Sequence, residues 1–272
     1  MKIAFIGGGN MASALIAGLA GKLTDGANIH VVDPNAEQLA RLKASYGVGA
    51  ARQIDAAVGA SDVIVLAVKP QQMREVAAAL LPQLQGARPL LLSIAAGVRG
   101  ADLARWLGGY GAIVRTMPNT PALIGQGITG MVAMDGVSAA QKQAADDIMK
   151  AVGATVWLED EAMIDPVTAV SGSGPAYVFY FIEAMQQAAK ELGLSAEQGK
   201  QLALATFTGA AQLAAQSPDD VAVLRERVTS KGGTTYAALT SMEQSGVKQA
   251  IVDAVKAASA RGRELGEQLG AD

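Results

Sequence analysis

The sequence IAFIGGGNMA at residues 3–12 decides the fold. Four apolar residues at 3–6 have the length of a buried strand; three glycines follow at once, and a helical pattern then runs from residue 11 to residue 23. Glycines between a strand and a helix permit a tight turn in which backbone N–H groups at the helix N-terminus face a pyrophosphate. This order predicts a dinucleotide-binding unit of the Rossmann type.

An acidic residue is expected at the end of the second strand, roughly 20 residues beyond the glycines, to bind ribose hydroxyls. Asp33 follows the apolar run at 29–32 at about this distance from Gly9. A carboxylate suits the 2′-OH of NADH and repels the 2′-phosphate of NADPH, and residues 34–40 contain no Lys or Arg. The residues alone therefore favour NADH, and Asp33→Ala should shift the kcat/KM ratio about tenfold toward NADPH. The alternative is a glycine turn in another α/β protein, with Asp33 only capping a strand end.

Short apolar runs alternate with helical patterns through residue 160, and helices alone follow. Strands are predicted at 3–6, 29–32, 63–68, 90–94, 113–117, 128–134 and 154–158, and helices at 11–23, 36–46, 71–84 and 101–107. Further helices are predicted at 163–170, 176–192, 196–216, 219–227, 236–244 and 248–269. Strand runs without polar alternation are typical of a parallel sheet covered on both faces. We predict an α/β Rossmann-type domain with a parallel-rich sheet at 1–160, followed by an all-α dimerisation domain at 161–272.

Composition excludes several kinds of chemistry. The 272 residues include no Cys and one His, so disulfides, thiolate nucleophiles and a metal cluster are not expected. A net charge of −3 indicates no nucleic-acid partner. Glycines at 7–9 interrupt what could otherwise be a secretory signal, and the apolar stretch at 176–185 is too short for a membrane span, so we expect a cytoplasmic protein with no membrane partner. The apolar helices of the second half exceed what one small bundle buries, which predicts at least a dimer.

A second motif, TSKGGTT at 229–235, precedes the helix predicted to begin near Tyr236. Two glycines expose backbone donors beside hydroxyl groups, and a helix N-terminus with free N–H groups suits a carboxylate. Thr235 adds a side chain that can both donate and accept a hydrogen bond. An ordinary helix cap with a glycine turn is the alternative.

Lys69, at the end of the third core strand, faces either a cofactor or solvent.

Six motifs, in order along nearly the whole chain, resemble those of the pyrroline-5-carboxylate reductase family. They are GGGNM at 7–11, AVKP at 67–70, SIAAG at 93–97, MPNTP at 117–121, VSGSGPAY at 170–177 and TSKGGTT at 229–235. The resemblance implies that NADPH or NADH reduces the cyclic imine of 1-pyrroline-5-carboxylate to L-proline, the last step of proline biosynthesis, with no metal. It also implies a homodimer or larger homo-oligomer.

The resemblance further implies roles for individual residues. The cofactor would be bound by Gly7, Gly8, Gly9, Asn10, Met11, Asp33, Pro34, Gln53, Ala67, Val68, Lys69, Pro70, Ala95, Ala96 and Gly97. The substrate carboxylate would be bound by Ser230, Gly232, Gly233 and Thr234. Thr235 would bind the ring nitrogen and is the catalytic candidate. Two departures from the family pattern are Lys231, where a proline is common, and the stretch at 33–35, which lacks a basic residue for a 2′-phosphate.

Two rival functions remain open to the sequence. A β-hydroxyacid dehydrogenase or imine reductase relative would have a similar two-part organisation, but it would need a catalytic lysine early in the long interdomain helix. Residues 171–183 contain no lysine. A non-catalytic dinucleotide-sensing protein would keep the glycine turn without needing the motif at 230–235.

Overall fold

The computed structural model describes residues 1–84, 86 and 88–271. These residues form two compact units. Unit 1 comprises residues up to Ser173 together with those from Ala258 onward, and unit 2 comprises Gly174–Ala257.

Unit 1 is built on one eight-stranded sheet. Its strands are β1 (Ile3–Ile6), β2 (Ile29–Val32), β3 (Gly49–Ala51), β4 (Val63–Leu66), β5 (Leu90–Ser93), β6 (Ile113–Met117), β7 (Gly127–Ala133) and β8 (Gly153–Trp157). Their spatial order is β3-β2-β1-β4-β5-β6-β7-β8, and every neighbouring pair is parallel except β6 with β7. The predicted parallel-rich sheet is confirmed, and each predicted strand lies within two residues of its observed bounds. The short β3 was not predicted, because GAA at 49–51 is not a strongly apolar run.

In the described part of the chain, seven α-helices accompany the sheet. They are α1 (Asn10–Leu19), α2 (Ala36–Tyr46), α3 (Ala56–Gly59), α4 (Met73–Leu80), α5 (Gly100–Trp106), α6 (Ala139–Lys150) and α7 (Ile164–Val167). Helix α6 was not predicted from the sequence, although its start carries a clear signal. Ser138 accepts a hydrogen bond from the Gln141 backbone N–H, and the Gln141 side chain accepts one from the Ser138 N–H, which is a capping box.

Apolar side chains cover both faces of the sheet. Along β1, Ile3 and Phe5 enter one buried cluster with residues of α1, whereas Ala4 and Ile6 enter another with residues of α4. Successive strand residues point to opposite faces, so both sets must be apolar when helices cover both sides. This arrangement explains the strand runs without polar alternation.

Residues 161–173 belong to unit 1, so the compact units divide the chain at residue 173 rather than at the predicted residue 160. Glu161 Oε1 accepts hydrogen bonds from Arg115 Nη1 at 2.6 Å and from the Gly100 backbone N–H at 2.5 Å. Gly130 lies so close to Val167 that a Cβ would approach it within 2.6 Å. The helix predicted at 163–170 is α7 followed by a π-helical turn at Thr168–Gly172.

Unit 2 is helical, as predicted. It contains α8 (Gly174–Glu191), α9 (Ala196–Gln216), α10 (Val221–Arg227), α11 (Thr234–Gln244) and the first part of α12 (Val247–Gly270), whose residues from Ala258 onward belong to unit 1. Gly199 of α9 packs against Ala189 of α8, where an added Cβ would lie 3.0 Å from that of Ala189. Within the part of the chain that the structure describes, no helix is both long enough and apolar enough to span a membrane.

Candidate active site

The turn after β1 has the geometry of a phosphate-binding loop. Gly7 has a φ of 101°, and a Cβ there would lie 2.5 Å from the Ala67 carbonyl oxygen, so only glycine fits. Gly9 is the N-cap of α1, and a Cβ at Gly9 would point into open space. No side chain among the described residues caps the first turn of α1. Its backbone N–H groups are therefore available to an anion, which fits a dinucleotide pyrophosphate.

Asp33 holds this turn from the end of β2. Its Oδ2 accepts a hydrogen bond from the Gly8 backbone N–H at 2.7 Å, and its Oδ1 accepts one from the Asn35 backbone N–H at 2.8 Å. The side-chain amide of Gln38 donates to the Gly8 carbonyl oxygen and ties the turn to α2. Each carboxylate oxygen of Asp33 thus already meets a backbone donor and keeps capacity for one more hydrogen bond.

A cleft of about 860 Å³ lies at the carboxyl ends of β1, β2, β3 and β4. This volume is in the usual range for small-molecule sites, and this edge is where open α/β sheets bind ligands. Eight predicted cofactor residues line it: Gly7, Gly9, Asp33, Pro34, Gln53, Ala67, Val68 and Lys69. The structure therefore brings together residues that are far apart in the sequence.

Seven predicted cofactor residues lie outside this lining. Gly8 is turned toward Asp33, residues 10 and 11 begin α1, and Pro70 begins a 3₁₀ turn at Pro70–Gln72. Residues 95–97 follow β5, the strand next to β4, and so continue along the same sheet edge. Gly97 has a φ of 77°, and a Cβ there would lie 3.2 Å from Leu269 Cδ1 of α12. The end of α12 therefore packs on the segment predicted to face the nicotinamide.

Arg52 also lines the cleft and was not predicted from the sequence. The stretch 34–40 lacks a basic residue, but Arg52 brings one into the cleft that Asp33 lines. Arg52 directly follows β3, and β3 pairs with β2 so that Ala51 lies opposite Val32. This cation comes from the adjacent strand and is therefore not visible in the sequence that directly follows Asp33. Lys69, whose surroundings the sequence left open, lines the same cleft.

In unit 2, the motif at 229–235 forms the turn before α11, which begins at Thr234, two residues earlier than predicted. Gly233 is the N-cap, and its backbone N–H donates to the Ser230 carbonyl oxygen at 3.0 Å. Within the described residues, no side chain caps this helix, which argues against the ordinary-cap alternative. Thr235 is half-buried in the first turn. The first turn of α11 therefore offers backbone N–H donors next to a hydroxyl group.

Across residues 1–84, 86 and 88–271, no group of three or more His, Asp or Glu side chains is placed to hold a metal ion.

The fold and the cleft define a dinucleotide-binding protein of the Rossmann type. Residues 2–97 match the family model described as NADP oxidoreductase coenzyme F420-dependent, and residues 161–265 match pyrroline-5-carboxylate reductase dimerisation. Pyrroline-5-carboxylate reductase from Pseudomonas aeruginosa is 49% identical over 269 residues, covering 99% of this chain and 98% of that protein. The chain belongs to the pyrroline-5-carboxylate reductase family.

Solved structures agree with this assignment. A pyrroline-5-carboxylate reductase from Coxiella burnetii superposes with a TM-score of 0.91 at 39% identity, covering 97% of this chain and 98% of that one. Pyrroline carboxylate reductase from Plasmodium falciparum, solved with NADP bound, gives a TM-score of 0.87 at 31% identity and covers 98% of each chain. The protein is an NAD(P)H-dependent oxidoreductase.

Proposed function

We propose that this protein reduces the imine of 1-pyrroline-5-carboxylate to L-proline at the expense of NAD(P)H, the last step of proline biosynthesis. The observation that carries the proposal is the N-terminus of α11, where free backbone donors adjoin Thr235 in a chain whose full-length relatives have this name. The substrate carries one carboxylate and one ring nitrogen. These two groups need an anion site and a hydroxyl partner, and the turn before α11 offers both.

In this proposal, different residues bind the carboxylate and the ring nitrogen of the substrate. Ser230, Gly232, Gly233 and Thr234 bind the substrate carboxylate, and the hydroxyl of Thr235 hydrogen-bonds the ring nitrogen. When bound in the cleft of unit 1, NAD(P)H supplies the hydride. A protonated imine is already electrophilic, so the protein needs to orient the ring and hold its carboxylate rather than provide a nucleophile or a metal. The lack of cysteine and the single histidine agree with this requirement.

Steady-state oxidation of NAD(P)H tests the proposal against its rivals. We expect turnover with 1-pyrroline-5-carboxylate and at least 100-fold lower kcat/KM with 2-oxo acids, because these lack the ring nitrogen that Thr235 would bind. In the reverse direction, 3-hydroxy acids should not reduce NAD(P)⁺. Preferred turnover of a 2-oxo or 3-hydroxy acid would support a β-hydroxyacid dehydrogenase relative. Cofactor binding without turnover of any of these would support a sensing protein.

We also infer that the protein works as a homodimer or a larger homo-oligomer, because unit 2 leaves large apolar side chains exposed. Phe179 and Tyr180 of α8 are 65% and 72% exposed. Beside them, α8 and α12 form an apolar groove of about 320 Å³, lined in part by Tyr177, Phe181 and Ile251. Burying each such side chain is worth about 1.5–3 kcal/mol, which favours covering this face with a second copy. The match of residues 161–265 to a dimerisation segment supports self-association.

Sedimentation at micromolar concentration tests the oligomer. We expect the wild-type protein to sediment at the mass of a dimer or more, and Phe179→Glu to shift it toward the monomer. Ile124→Glu changes an apolar residue of unit 1 that is 73% exposed and should leave the mass unchanged. A wild-type monomer with full activity would contradict the inference. The cytoplasmic location stays a prediction, which fractionation of the source cells would check.

A further inference from the structure

Two exposed cations line the cleft of unit 1, and they lie at different strands. Arg52 follows β3 and Lys69 follows β4. Among the described residues, neither takes part in an ion pair. Two carboxylates, Asp33 and Glu75, line the same cleft. The two cations differ in how close they lie to the 2′-position of the adenosine ribose of a bound dinucleotide.

Strand pairing places Arg52 nearer than Lys69 to the end of the cleft that binds the ribose. Val32 pairs with Ala51, and the Asp33 backbone N–H donates to the Ala51 carbonyl oxygen at 3.1 Å. Arg52 and Asp33 are therefore the next residues in register, about one strand spacing of 5 Å apart. Lys69 is farther away, because β1 lies between β2 and β4. Asp33 marks the ribose end of the cleft, since the acid after the second strand of this fold binds ribose hydroxyls.

The charge of Asp33 is also less repulsive than the sequence suggests. Both of its carboxylate oxygens accept backbone N–H groups, from Gly8 at 2.7 Å and from Asn35 at 2.8 Å. These donors offset part of the negative charge. A guanidinium group one strand spacing away is a planar fork of donors that matches a phosphate.

We propose that Arg52 binds the 2′-phosphate of NADPH and makes this protein prefer NADPH to NADH. The proposal deepens the proposed function, because it concerns the cofactor of the same reaction. It reverses the preference for NADH that the stretch 33–40 alone predicts. Arg52 is a specificity residue in this account and takes no part in hydride transfer.

Calorimetric binding of cofactor fragments to the full-length protein tests the proposal without catalysis. The probes are adenosine 2′,5′-bisphosphate and 5′-AMP, which differ only in the 2′-phosphate. We expect the wild type to bind the bisphosphate at least tenfold more tightly, and Arg52→Gln to weaken bisphosphate binding by about 10- to 100-fold while changing 5′-AMP binding less than twofold. Arg41→Gln, at an exposed arginine of α2 outside the cleft lining, should change neither affinity.

Three outcomes would overturn the proposal. The first is equal affinity of the wild type for both probes. The second is an equal loss of affinity for both probes in Arg52→Gln. The third is loss of the preference for the bisphosphate in Lys69→Gln while Arg52→Gln keeps that preference. Fragment binding involves no imine, so this test can fail in an active pyrroline-5-carboxylate reductase. It can equally succeed in a protein that reduces another substrate.

Discussion

Thr235 is the residue on which substrate chemistry should depend most. The hydroxyls of Thr229 and Thr240 donate to backbone carbonyl oxygens at 2.6 and 2.8 Å, whereas that of Thr235 has no partner among the described residues. We predict that Thr235→Ala lowers kcat/KM for 1-pyrroline-5-carboxylate by about 10- to 100-fold, or 1.4–2.7 kcal/mol, because one oriented polar contact in the transition state is lost. Thr235→Ser should recover most of this loss.

Two controls separate this effect from misfolding. NADPH affinity without substrate should change little in either variant, because the cleft that binds the cofactor is built from unit 1. Thr240→Ala removes a hydroxyl that donates to the Tyr236 carbonyl oxygen of the same helix, and it should keep activity within about threefold. Wild-type kcat/KM in Thr235→Ala would mean that the proton comes from water or from a substrate that is already protonated.

The contacts of Asp33 change the result expected for Asp33→Ala from the one that the sequence alone predicts. Because its carboxylate fixes the glycine turn through the Gly8 N–H, Asp33→Ala should weaken NADPH and NADH together, each by about tenfold. The ratio of their dissociation constants should change less than threefold. Fluorescence titration with each cofactor measures both values. A tenfold shift of this ratio toward NADPH, with no loss of NADPH affinity, would instead indicate that Asp33 acts by repelling the 2′-phosphate.

At the scale of elements, a buried carboxylate joins α6 to β8. Asp146 Oδ1 accepts hydrogen bonds from Thr155 Oγ1 at 2.7 Å and Trp157 Nε1 at 3.1 Å, and Lys150 Nζ lies 2.6 Å from Oδ2. Burial raises the pKa of Asp146, but these hydrogen bonds outweigh burial and hold the pKa below its usual 3.8. A lowered folded-state pKa means that this carboxylate stabilises the fold above about pH 4, and that its contribution is lost as the pH falls through the folded-state value.

We therefore predict that Asp146→Ala lowers the free energy of unfolding by about 1–3 kcal/mol at pH 7, because the partners lose a charged acceptor. The difference from the wild type should shrink between about pH 5 and pH 3. Urea unfolding at a series of pH values measures it. The neighbouring Asp147 accepts a hydrogen bond from the exposed Gln143 side chain. Asp147→Ala should therefore lower the free energy of unfolding by less than about 1 kcal/mol. A pH-independent difference for Asp146→Ala would contradict this account.

The last turns of α12 position the segment after β5. Leu269 contacts Gly97, and Arg105 Nη2 donates to the Gly270 carbonyl oxygen at 2.8 Å. We predict that Leu269→Ala lowers kcat/KM for NADPH about three- to tenfold, because residues 95–97 lose their packing support. Binding of adenosine 2′,5′-bisphosphate should stay within twofold, since the adenosine end lies at other strands. The exposed Gln268→Ala is the matched control, and equal loss of bisphosphate binding in Leu269→Ala would indicate general destabilisation instead.

At the scale of the whole molecule, the sequence predicts what depends on local pattern. Continuous apolar runs predict the core strands, since both sheet faces are covered, and the glycine turn predicts the cofactor edge. Pairing between distant segments is not visible in a local pattern. Arg52 stands beside Asp33 because β3 pairs with β2, and α12 contributes to unit 1 because its last turns contact distant residues such as Gly97 and Arg105. The missed α6 is different, because the Ser138–Gln141 capping box was present in the sequence.

The fate of the hydride tests the central claim most directly. The protein is mixed with 1-pyrroline-5-carboxylate and NADPH that carries two deuterium atoms at C4 of the nicotinamide ring, and the product is analysed by mass spectrometry and chiral chromatography. The account predicts L-proline with one deuterium at its δ-carbon, formed in equal amount to the NADPH consumed. Oxidation of NADPH without deuterated L-proline, or proline carrying no deuterium, would contradict it.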